Sequence, residues 1–352
     1  MGTLVKMCGR LGHKLCLRCA PVSRQARRAA SGLGSAPRPP PPSAGRPSVE
    51  ECVDLWEGVF GERGVSEPRL SSEYIVAHVL GANTLASLAR RGLAAVLTEA
   101  QTQRVWDLCA RRLERMPVQY VIEEWDFRDL TLKMRPPVFI PRPETEELVG
   151  LVLTDLQHSR GPDQRGAVLA SGPSLRFLEV GCGSGAISLS LLKSLPQARA
   201  VAVDRSPAAV SLAEENAHRL GLQDRLDLME LDVMTDAQAV LSHCGLFDFI
   251  VSNPPYVFSA DMAALEPEIL RFEDPGALDG GADGMDVIRH ILSLAQQILP
   301  VGGKVYLEVE PRQPEMLQQR PGAGLQYTAT HRDFSHRPRF CVLQRGRGSG
   351  DG

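Results

Sequence analysis

The tetrapeptide Asn253-Pro254-Pro255-Tyr256 is the part of the sequence with the clearest chemical meaning. Each proline fixes φ near about −65° and lacks an N–H donor, so we expect the carbonyl groups of Asn253 and Pro254 to point rigidly into a crevice. Asn253 adds a side-chain carbonyl oxygen, and Tyr256 adds a flat aromatic ring. The set suits a planar –NH2 group, with its two hydrogens bound by the Asn253 side-chain oxygen and the Pro254 carbonyl and its plane stacked on Tyr256.

Acceptors of this kind can make a poor nitrogen nucleophile react. An amide nitrogen is a weak nucleophile because its lone pair is delocalised. Acceptors that bond both hydrogens favour a pyramidal nitrogen, so they bind the transition state better than the planar ground state. If the group transferred is a methyl group carried by a sulfonium, the reaction would depend mainly on positioning. No metal, nucleophilic cysteine or histidine base would be required. The structural alternative is that Pro-Pro-Tyr simply ends a strand.

A glycine-rich turn precedes the tetrapeptide in the chain. The segment Glu179-Val-Gly-Cys-Gly-Ser-Gly185 stands between an apolar strand pattern and a helix pattern. Its glycines allow a tight turn and a close approach of the backbone to a ligand. Asp204, nineteen residues after Gly185, ends the next predicted strand, where its carboxylate can accept hydrogen bonds from two ribose hydroxyls. The two features together indicate a nucleotide-type ligand.

These features do not by themselves separate NAD from S-adenosylmethionine. The dinucleotide pattern has glycine at its sixth position, where this chain has Ala186. Glu179 is suited to a cationic amino-acid ligand, because its carboxylate can hold an ammonium directly or through water. S-adenosylmethionine carries an ammonium and a sulfonium, and NAD carries neither.

The elements that must position these residues alternate between strand and helix. The pattern predicts strands over 175–180, 199–204, 226–231, 246–252 and 304–310, and helices over 187–195, 206–221 and 286–299. Two last extended segments, 325–330 and 339–344, predict a hairpin. Alternation of this kind specifies an α/β fold with a doubly wound, mainly parallel sheet, and the hairpin predicts an antiparallel edge strand.

Composition divides the rest of the chain into further segments. Leucine and valine recur with helical spacing over 49–117, which predicts a small helical domain. Residues 118–141 alternate and predict a β-hairpin connector. The α/β domain then covers 142–345. It opens with a helix over 142–157 and a loop over 158–174, and a disordered tail is expected over 346–352.

The N-terminal segment 1–48 has the composition of a mitochondrial transit peptide. Residues 1–49 contain nine basic side chains and no acidic one, with a proline tract at 37–42. The alternative is a disordered basic tail that binds nucleic acid. Cys16 and Cys19 lack a second metal-type pair and are interpreted as incidental.

Charge and hydropathy exclude further classes of protein. Residues 50–352 carry 30 basic and 42 acidic side chains, a net charge of −12, so this part has no general attraction for nucleic-acid phosphates. No apolar run approaches the ~20 residues of a membrane-spanning helix.

With these motifs in order, the chain resembles the class I S-adenosylmethionine-dependent methyltransferases. Three flanking segments narrow the resemblance to the HemK/PrmC protein-glutamine methyltransferases. They are Phe139-Ile-Pro-Arg-Pro-Glu-Thr-Glu146, Arg271-Phe-Glu273 followed by Ala277-Leu278, and Gly280-Gly-Ala-Asp-Gly284. The resemblance covers roughly residues 50–345, and the transit-like N-terminus points to the mitochondrial form of this family.

The resemblance implies N5-methylation of the glutamine side chain in the Gly-Gly-Gln loop of class 1 peptide chain release factors. It implies S-adenosylmethionine as cofactor and a release factor as partner, in the mitochondrial matrix. We also expect a monomer that contacts neither nucleic acid nor membrane. The residues it assigns to the cofactor are Glu179, Gly181, Cys182, Gly183, Ser184, Gly185, Asp204, Asp232, Val233 and Asn253. Those it assigns to the glutamine amide are Asn253, Pro254, Pro255 and Tyr256, with Asn253, Pro254 and Tyr256 catalytic.

Two departures from the family pattern and two rival functions remain open. Glu123 stands where family members usually have glycine, and 311–324 looks short and rich in Pro and Gly for the helix expected there. A DNA or RNA adenine-N6 methyltransferase is one rival, since adenine also presents a conjugated –NH2 group. The other is a methyltransferase-fold protein kept only for binding.

Overall fold

The computed structural model describes residues 46–87, 90–158, 175–244 and 246–347. The predicted transit peptide, apart from its last residues, lies outside the described residues, as do Cys16 and Cys19. So do most of the predicted loop over 158–174 and most of the predicted tail.

The first described part is a helical domain. Its helices are α1 (Val49–Glu62), α2 (Pro68–Val79), α3 (Arg90–Leu93), α4 (Glu99–Leu113) and α5 (Val118–Ile122). Ser48 and Thr98 each begin a helix with a capping box, in which the side chain of the third helical residue bonds back to the cap. The core of this domain is built around Trp56 and Trp106, whose rings meet edge to face with centroids 5.2 Å apart.

The connector differs from its prediction at its start. Residues 118–122 form α5, and the hairpin is confined to β1 (Glu124–Phe127) and β2 (Leu130–Lys133), which pair antiparallel. Glu123 ends α5 with φ 61°, the left-handed conformation that glycine adopts most easily. The hairpin therefore forms although this chain has Glu123 where glycine is usual, and the backbone at this residue is strained.

The second domain contains a seven-stranded sheet with helices on both faces. Its strands are β3 (Arg176–Val180), β4 (Arg199–Asp204), β5 (Leu226–Glu230), β6 (Phe249–Ser252), β7 (Lys304–Glu308), β8 (Leu325–Arg332) and β9 (Pro338–Arg345). The order across the sheet is β5-β4-β3-β6-β7-β9-β8, and β3 to β7 run parallel. The closing hairpin forms the predicted antiparallel edge. Its second strand, β9, pairs with β7, so β8 is the outermost strand.

The helices of this domain are α6 (Pro143–His158), α7 (Ala186–Ser194), α8 (Pro207–Leu220), α9 (Ala237–Cys244), α10 (Pro267–Phe272), α11 (Asp286–Ile298) and α12 (Gln313–Gln319). The segment 311–324 thus contains a helix, α12, despite its Pro and Gly content. Pro314 is tolerated because it stands in the first turn, where its missing N–H has no intrahelical partner.

Alternate residues of the strands belong to two separate hydrophobic cores, one on each face of the sheet. Phe177 and Phe249 stack with ring centroids 5.0 Å apart and pack with α6, α7 and α8. Leu178 and Ile250, one residue further along the same strands, pack on the opposite face with α9 and α11. Because side chains on a strand alternate between faces, this pattern fixes the register of the sheet and therefore the level at which every strand ends.

A buried ion pair joins the helical domain to the second domain. Oε1 of Glu268, on α10, lies 2.9 Å from Nη1 of Arg115 and 3.4 Å from Nη1 of Arg112. Ser66 donates a hydrogen bond of 3.2 Å to the same oxygen. Because α10 follows the Asn-Pro-Pro-Tyr segment in the chain, this ion pair fixes the position of the segment after β6 against the helical domain.

No helix in the described part of the chain is both long enough and apolar enough to cross a membrane.

Candidate active site

A crevice of about 440 Å³ opens at the carboxyl ends of β3, β4 and β6. This is the edge where the chain order across the sheet reverses, which is where open α/β sheets bind ligands. The predicted site residues that line it are Glu179, Gly181, Cys182, Gly183, Ser184, Asp204, Asp232, Val233, Asn253 and Pro255. Gly185, Pro254 and Tyr256 belong to the same two segments but do not line the crevice.

The turn after β3 has two different uses for glycine. Gly185 has φ 81°, and a Cβ placed there would lie 3.0 Å from Cδ1 of Leu189 and 3.3 Å from Cβ of Ala213. Gly183 has φ 52°, and a Cβ there would meet no atom within 4 Å. Gly185 thus lets α7 pack closely, whereas Gly183 keeps space open in the crevice that it lines.

Asp204 fixes the shape of this turn. Its Oδ2 accepts a hydrogen bond of 2.9 Å from the N–H of Gly183, and its Oδ1 accepts one of 2.9 Å from the N–H of Ser206. Burial raises the pKa of the Asp204 carboxyl, and the two backbone donors oppose that shift. Each carboxylate oxygen keeps acceptor capacity, because a carboxylate offers about four lone-pair sites.

Glu179, on β3, is a buried carboxyl group that also lines the crevice. Its side chain is 1% exposed, and its Oε2 accepts hydrogen bonds from the N–H of Ser188, at 2.9 Å, and from the Ser188 hydroxyl. Both bonds go to Oε2, so Oε1 is the oxygen available to a ligand. Burial raises the pKa of Glu179 to about 8, which favours a ligand that brings its own positive charge.

Asp232 and Val233 follow β5 at the far end of the crevice. Oδ1 of Asp232 accepts a hydrogen bond of 2.9 Å from the N–H of Met234, which holds the turn after the strand. Val233 is buried in the core beneath, and Met234 lines the crevice beside both. The pair offers a polar edge and an apolar surface, which is suited to a flat heterocycle.

The side-chain amide of Asn253 is held in one direction. Its Nδ2 donates a hydrogen bond of 3.1 Å to Oγ1 of Thr145, on α6. Because Asn253 lines the crevice, this leaves Oδ1 as an acceptor for a ligand. Pro254, which follows it, is buried.

Tyr256 occupies a different place from the one expected for a stacking ring. Its hydroxyl donates a hydrogen bond of 3.1 Å to Oε1 of Glu308, and its ring packs with Val257, Ile269 and Leu278. The ring is 7% exposed and does not line the crevice. Phe139 is an aromatic residue that does line it, with the guanidinium of Arg142 4.7 Å from its ring centroid.

Several residues that shape the site were not identified as site residues from the sequence. Thr145 and Phe139 belong to the Phe139–Glu146 segment, whose resemblance was the available signal. Gln313, at the start of α12, donates hydrogen bonds to the carbonyls of Gly284, at 2.7 Å, and Tyr256, at 3.3 Å. No local pattern marks Gln313, because its partners are brought to it only by the fold.

The acceptor, carboxylate and apolar groups of this crevice fit a cationic nucleoside ligand. No group of three or more His, Cys, Asp or Glu side chains within the described residues could hold a metal ion.

Comparison with known proteins gives two family models that match the chain. The model described as PrmC N-terminal domain matches residues 51–122, and the one described as Methyltransferase small domain matches residues 167–270. Among curated relatives, the MTRF1L release factor glutamine methyltransferase of Homo sapiens is 53% identical over 312 residues, which cover 88% of this chain and 90% of the relative. The release factor glutamine methyltransferase of Deinococcus radiodurans is 35% identical over 286 residues, 81% of this chain and 94% of the relative.

The solved structures that match the chain are more distant. The 16S rRNA N2 G1207 methyltransferase of Thermus thermophilus, in complex with AdoMet and guanosine, has a TM-score of 0.41 and 22% identity. The match covers 64% of this chain and 50% of that one. The ribosomal protein L11 methylase of Lactobacillus delbrueckii has a TM-score of 0.40 and 16% identity over 64% of this chain and all of that one.

Alanine substitutions at the two glycines are expected to separate stability from ligand binding. Gly185→Ala adds backbone strain and a steric overlap with α7 and α8, so it should lower the free energy of unfolding by at least about 2 kcal/mol. Gly183→Ala adds strain alone, about 1 kcal/mol, but places a methyl group in the crevice. Denaturant unfolding measures the first effect. The shift in melting temperature with S-adenosylmethionine, normalised to each free variant, measures the second. Equal stability losses, or full ligand response in Gly183→Ala, would contradict these assignments.

Proposed function

Because the chain belongs to the release factor glutamine methyltransferase family, we propose that it methylates a glutamine side chain in a peptide chain release factor. The methyl donor is S-adenosylmethionine, and the target is N5 of the glutamine in the Gly-Gly-Gln loop of a class 1 release factor. The observation that carries the proposal is the Asn253 amide at the crevice, whose Nδ2 is held by Thr145 so that Oδ1 is left as an acceptor.

The crevice residues divide among the parts of the cofactor. We assign Oε1 of Glu179 to its ammonium group, the Gly181–Gly185 turn to its methionine and ribose parts, and Asp204 to its ribose hydroxyls. Asp232 and Val233 flank its adenine. The bound cofactor supplies an electrophilic methyl group on a sulfonium, so the protein is left with binding, orientation and exclusion of water.

The glutamine amide is held by acceptors at the end of β6. We assign one of its hydrogens to Oδ1 of Asn253 and the other to the carbonyl of Pro254, a residue that is buried behind the crevice wall in this structure. The nitrogen then loses conjugation as its bond to the methyl carbon forms, and the methylated amide keeps one N–H while the second proton is released to solvent. Such acceptors stabilise the transition state more than the ground state. Tyr256 supports this acceptor pair from below the crevice wall through its bond to Glu308, in place of the stacking role predicted from the sequence.

Replacement of Asn253 tests this mechanism. Asn253→Ala removes one acceptor and is expected to lower the rate of methyl transfer by at least about 100-fold. Its dissociation constant for S-adenosylmethionine should stay within about threefold, since the other crevice residues assigned to the cofactor are unchanged and the Asn253 side-chain acceptor is assigned to the glutamine amide. Transfer of labelled methyl groups to a release factor measures the rate, and calorimetry measures cofactor affinity. We call the two acceptors, Asn253 Oδ1 and the Pro254 carbonyl, the amide clamp. Near-normal activity of the variant would refute the role of this clamp in catalysis.

Matched substrates separate the proposed reaction from its rivals. A release factor whose Gly-Gly-Gln glutamine is changed to leucine should take up no methyl group, and neither should DNA or RNA. Label in nucleic acid would favour the adenine-N6 rival. A melting temperature raised by the cofactor without label in any substrate would favour a binding protein that has lost catalysis.

Proton release on cofactor binding tests the role of Glu179. Burial raises the pKa of Glu179 to about 8, so near pH ~6.5 the free protein holds this carboxyl protonated. An ammonium beside it favours the ionised form, so binding should release close to one proton. Glu179→Gln should bind without this release. Calorimetry in two buffers of different ionisation enthalpy measures the proton count, and equal counts for the two proteins would place the ammonium elsewhere.

We propose the mitochondrial matrix as the site of action and a monomer as the working form. The basic, acid-free composition of residues 1–49 supports import along a potential that is negative inside. The acidic remainder of the chain supports a partner that is a protein and not a nucleic acid.

Import can be tested with the full chain. Changing all nine basic residues of 1–49 to glutamine should leave a tagged protein outside mitochondria, while the unchanged chain becomes protected from added protease in isolated organelles. The same number of substitutions among exposed basic residues of the second domain serves as the control. Unchanged import of the first variant would reject the transit-peptide hypothesis.

A further inference from the structure

A buried carboxyl group lies next to the amide clamp without lining the crevice. Glu308 is the last residue of β7, the neighbour of β6 in the sheet, and it is 1% exposed. Its Oε1 accepts the hydrogen bond from the Tyr256 hydroxyl, and its Oε2 accepts one of 2.8 Å from Oγ1 of Thr145. One carboxylate therefore contacts two residues that touch or support the clamp.

The hydrogen bonds form a chain whose direction is set when Glu308 is ionised. A hydroxyl carries one proton, and Thr145 donates it to the ionised Glu308 because a carboxylate can only accept. Thr145 can then only accept from Asn253, which it does from Nδ2 at 3.1 Å. The –NH2 side of the Asn253 amide is thereby committed to Thr145, and the carbonyl side is left for the crevice.

The surroundings of Glu308 contain groups of both signs. Burial raises the pKa of Glu308 to about 7, Arg339 on β9 opposes this, and Glu144 on α6 adds to it. The Thr145 and Tyr256 donors also favour the ionised form. Arg339 is itself 4% exposed, so its charge acts on Glu308 with little screening by solvent.

We propose that Glu308 is a positioning residue that sets the direction of the Asn253 amide through Thr145. The inference rests on the proposed function, since it states how the clamp presents an acceptor and not a donor to the glutamine amide. Without the Glu308 carboxylate, the Thr145 proton has Asn253 Oδ1 as its next acceptor. The amide would then turn over and present –NH2 to the substrate, where two donors would face each other.

Matched substitutions at Thr145 test the middle of this chain. Thr145→Val keeps the shape of the side chain but removes the hydroxyl, and kcat should fall by about 100-fold because the reacting geometry is lost. Thr145→Ser keeps the hydroxyl and should stay within about threefold of the unchanged protein. Cofactor affinity and melting temperature should differ little between the two variants.

Substitutions at Glu308 test the residue that ends this chain of hydrogen bonds and sets its direction. Glu308→Leu removes both acceptors and should lose kcat as Thr145→Val does. Glu308→Gln can still accept from Thr145 through its carbonyl and donate to Tyr256, so it should retain most of the rate. Adding Glu308→Leu to Thr145→Val should lower kcat little further, because both changes break one chain. A residue that acted only on stability would give losses that multiply.

A readout without substrate keeps this inference separate from the proposed function. The side-chain amide protons of Asn253, assigned by nuclear magnetic resonance from their loss in Asn253→Asp, should exchange slowly with water in the unchanged protein and in Thr145→Ser. They should exchange at least about tenfold faster in Thr145→Val and Glu308→Leu, where the bond to Thr145 is absent or reversed. If the unchanged protein does not methylate a release factor but this pattern holds, the proposed function fails and the positioning role stands. Unchanged exchange, or an active Thr145→Val, overturns the positioning role.

Discussion

Parallel pairing of β4, β3, β6 and β7 brings their carboxyl ends to one edge of the sheet, and the rest of the site depends on this constraint. The glycine turn leaves β3, Asp204 ends β4, Asn253 follows β6, and Glu308 ends β7. The register is fixed by two buried cores, one on each face. A shift of one residue in the pairing register of a strand would move its side chains to the opposite face of the sheet, and the crevice would not form.

Carboxyl groups that are buried, or half-buried in the case of Asp204, dominate the chemistry of this edge. Glu179, Asp204 and Glu308 each receive two directed hydrogen bonds from protein groups, which hold them in place before any ligand arrives. Acidic groups at low dielectric favour a cationic ligand, and a sulfonium with an ammonium meets that condition. The same groups disfavour a phosphate-bearing ligand such as NAD, so the electrostatics of the edge support the choice that the glycine pattern left open.

The segment beyond the tetrapeptide is held at two points. Glu268, on α10, is paired with Arg112 and Arg115 of the helical domain, and Glu273 is paired with Arg142 at the start of α6 at 2.7 Å. Both carboxylates are buried, so loss of Arg142, or of Arg112 and Arg115 together, would leave an uncompensated charge. The helical domain therefore helps to fix the position of the segment that follows Asn253-Pro254-Pro255-Tyr256.

The sequence by itself determined the sheet, its parallel order, the glycine turn and the groups at three strand ends, because these follow from backbone geometry and period-two burial over a few residues. It also predicted an acceptor at Asn253. The tertiary structure alone decided which way that amide points, since Thr145 and Glu308 stand 108 and 163 residues from their respective partners, Asn253 and Thr145. It also decided that the Tyr256 ring packs in the core with its hydroxyl bonded to Glu308 and that 118–122 is helical. Hydrogen-bond direction is a property of groups brought together by folding, and no local pattern encodes it.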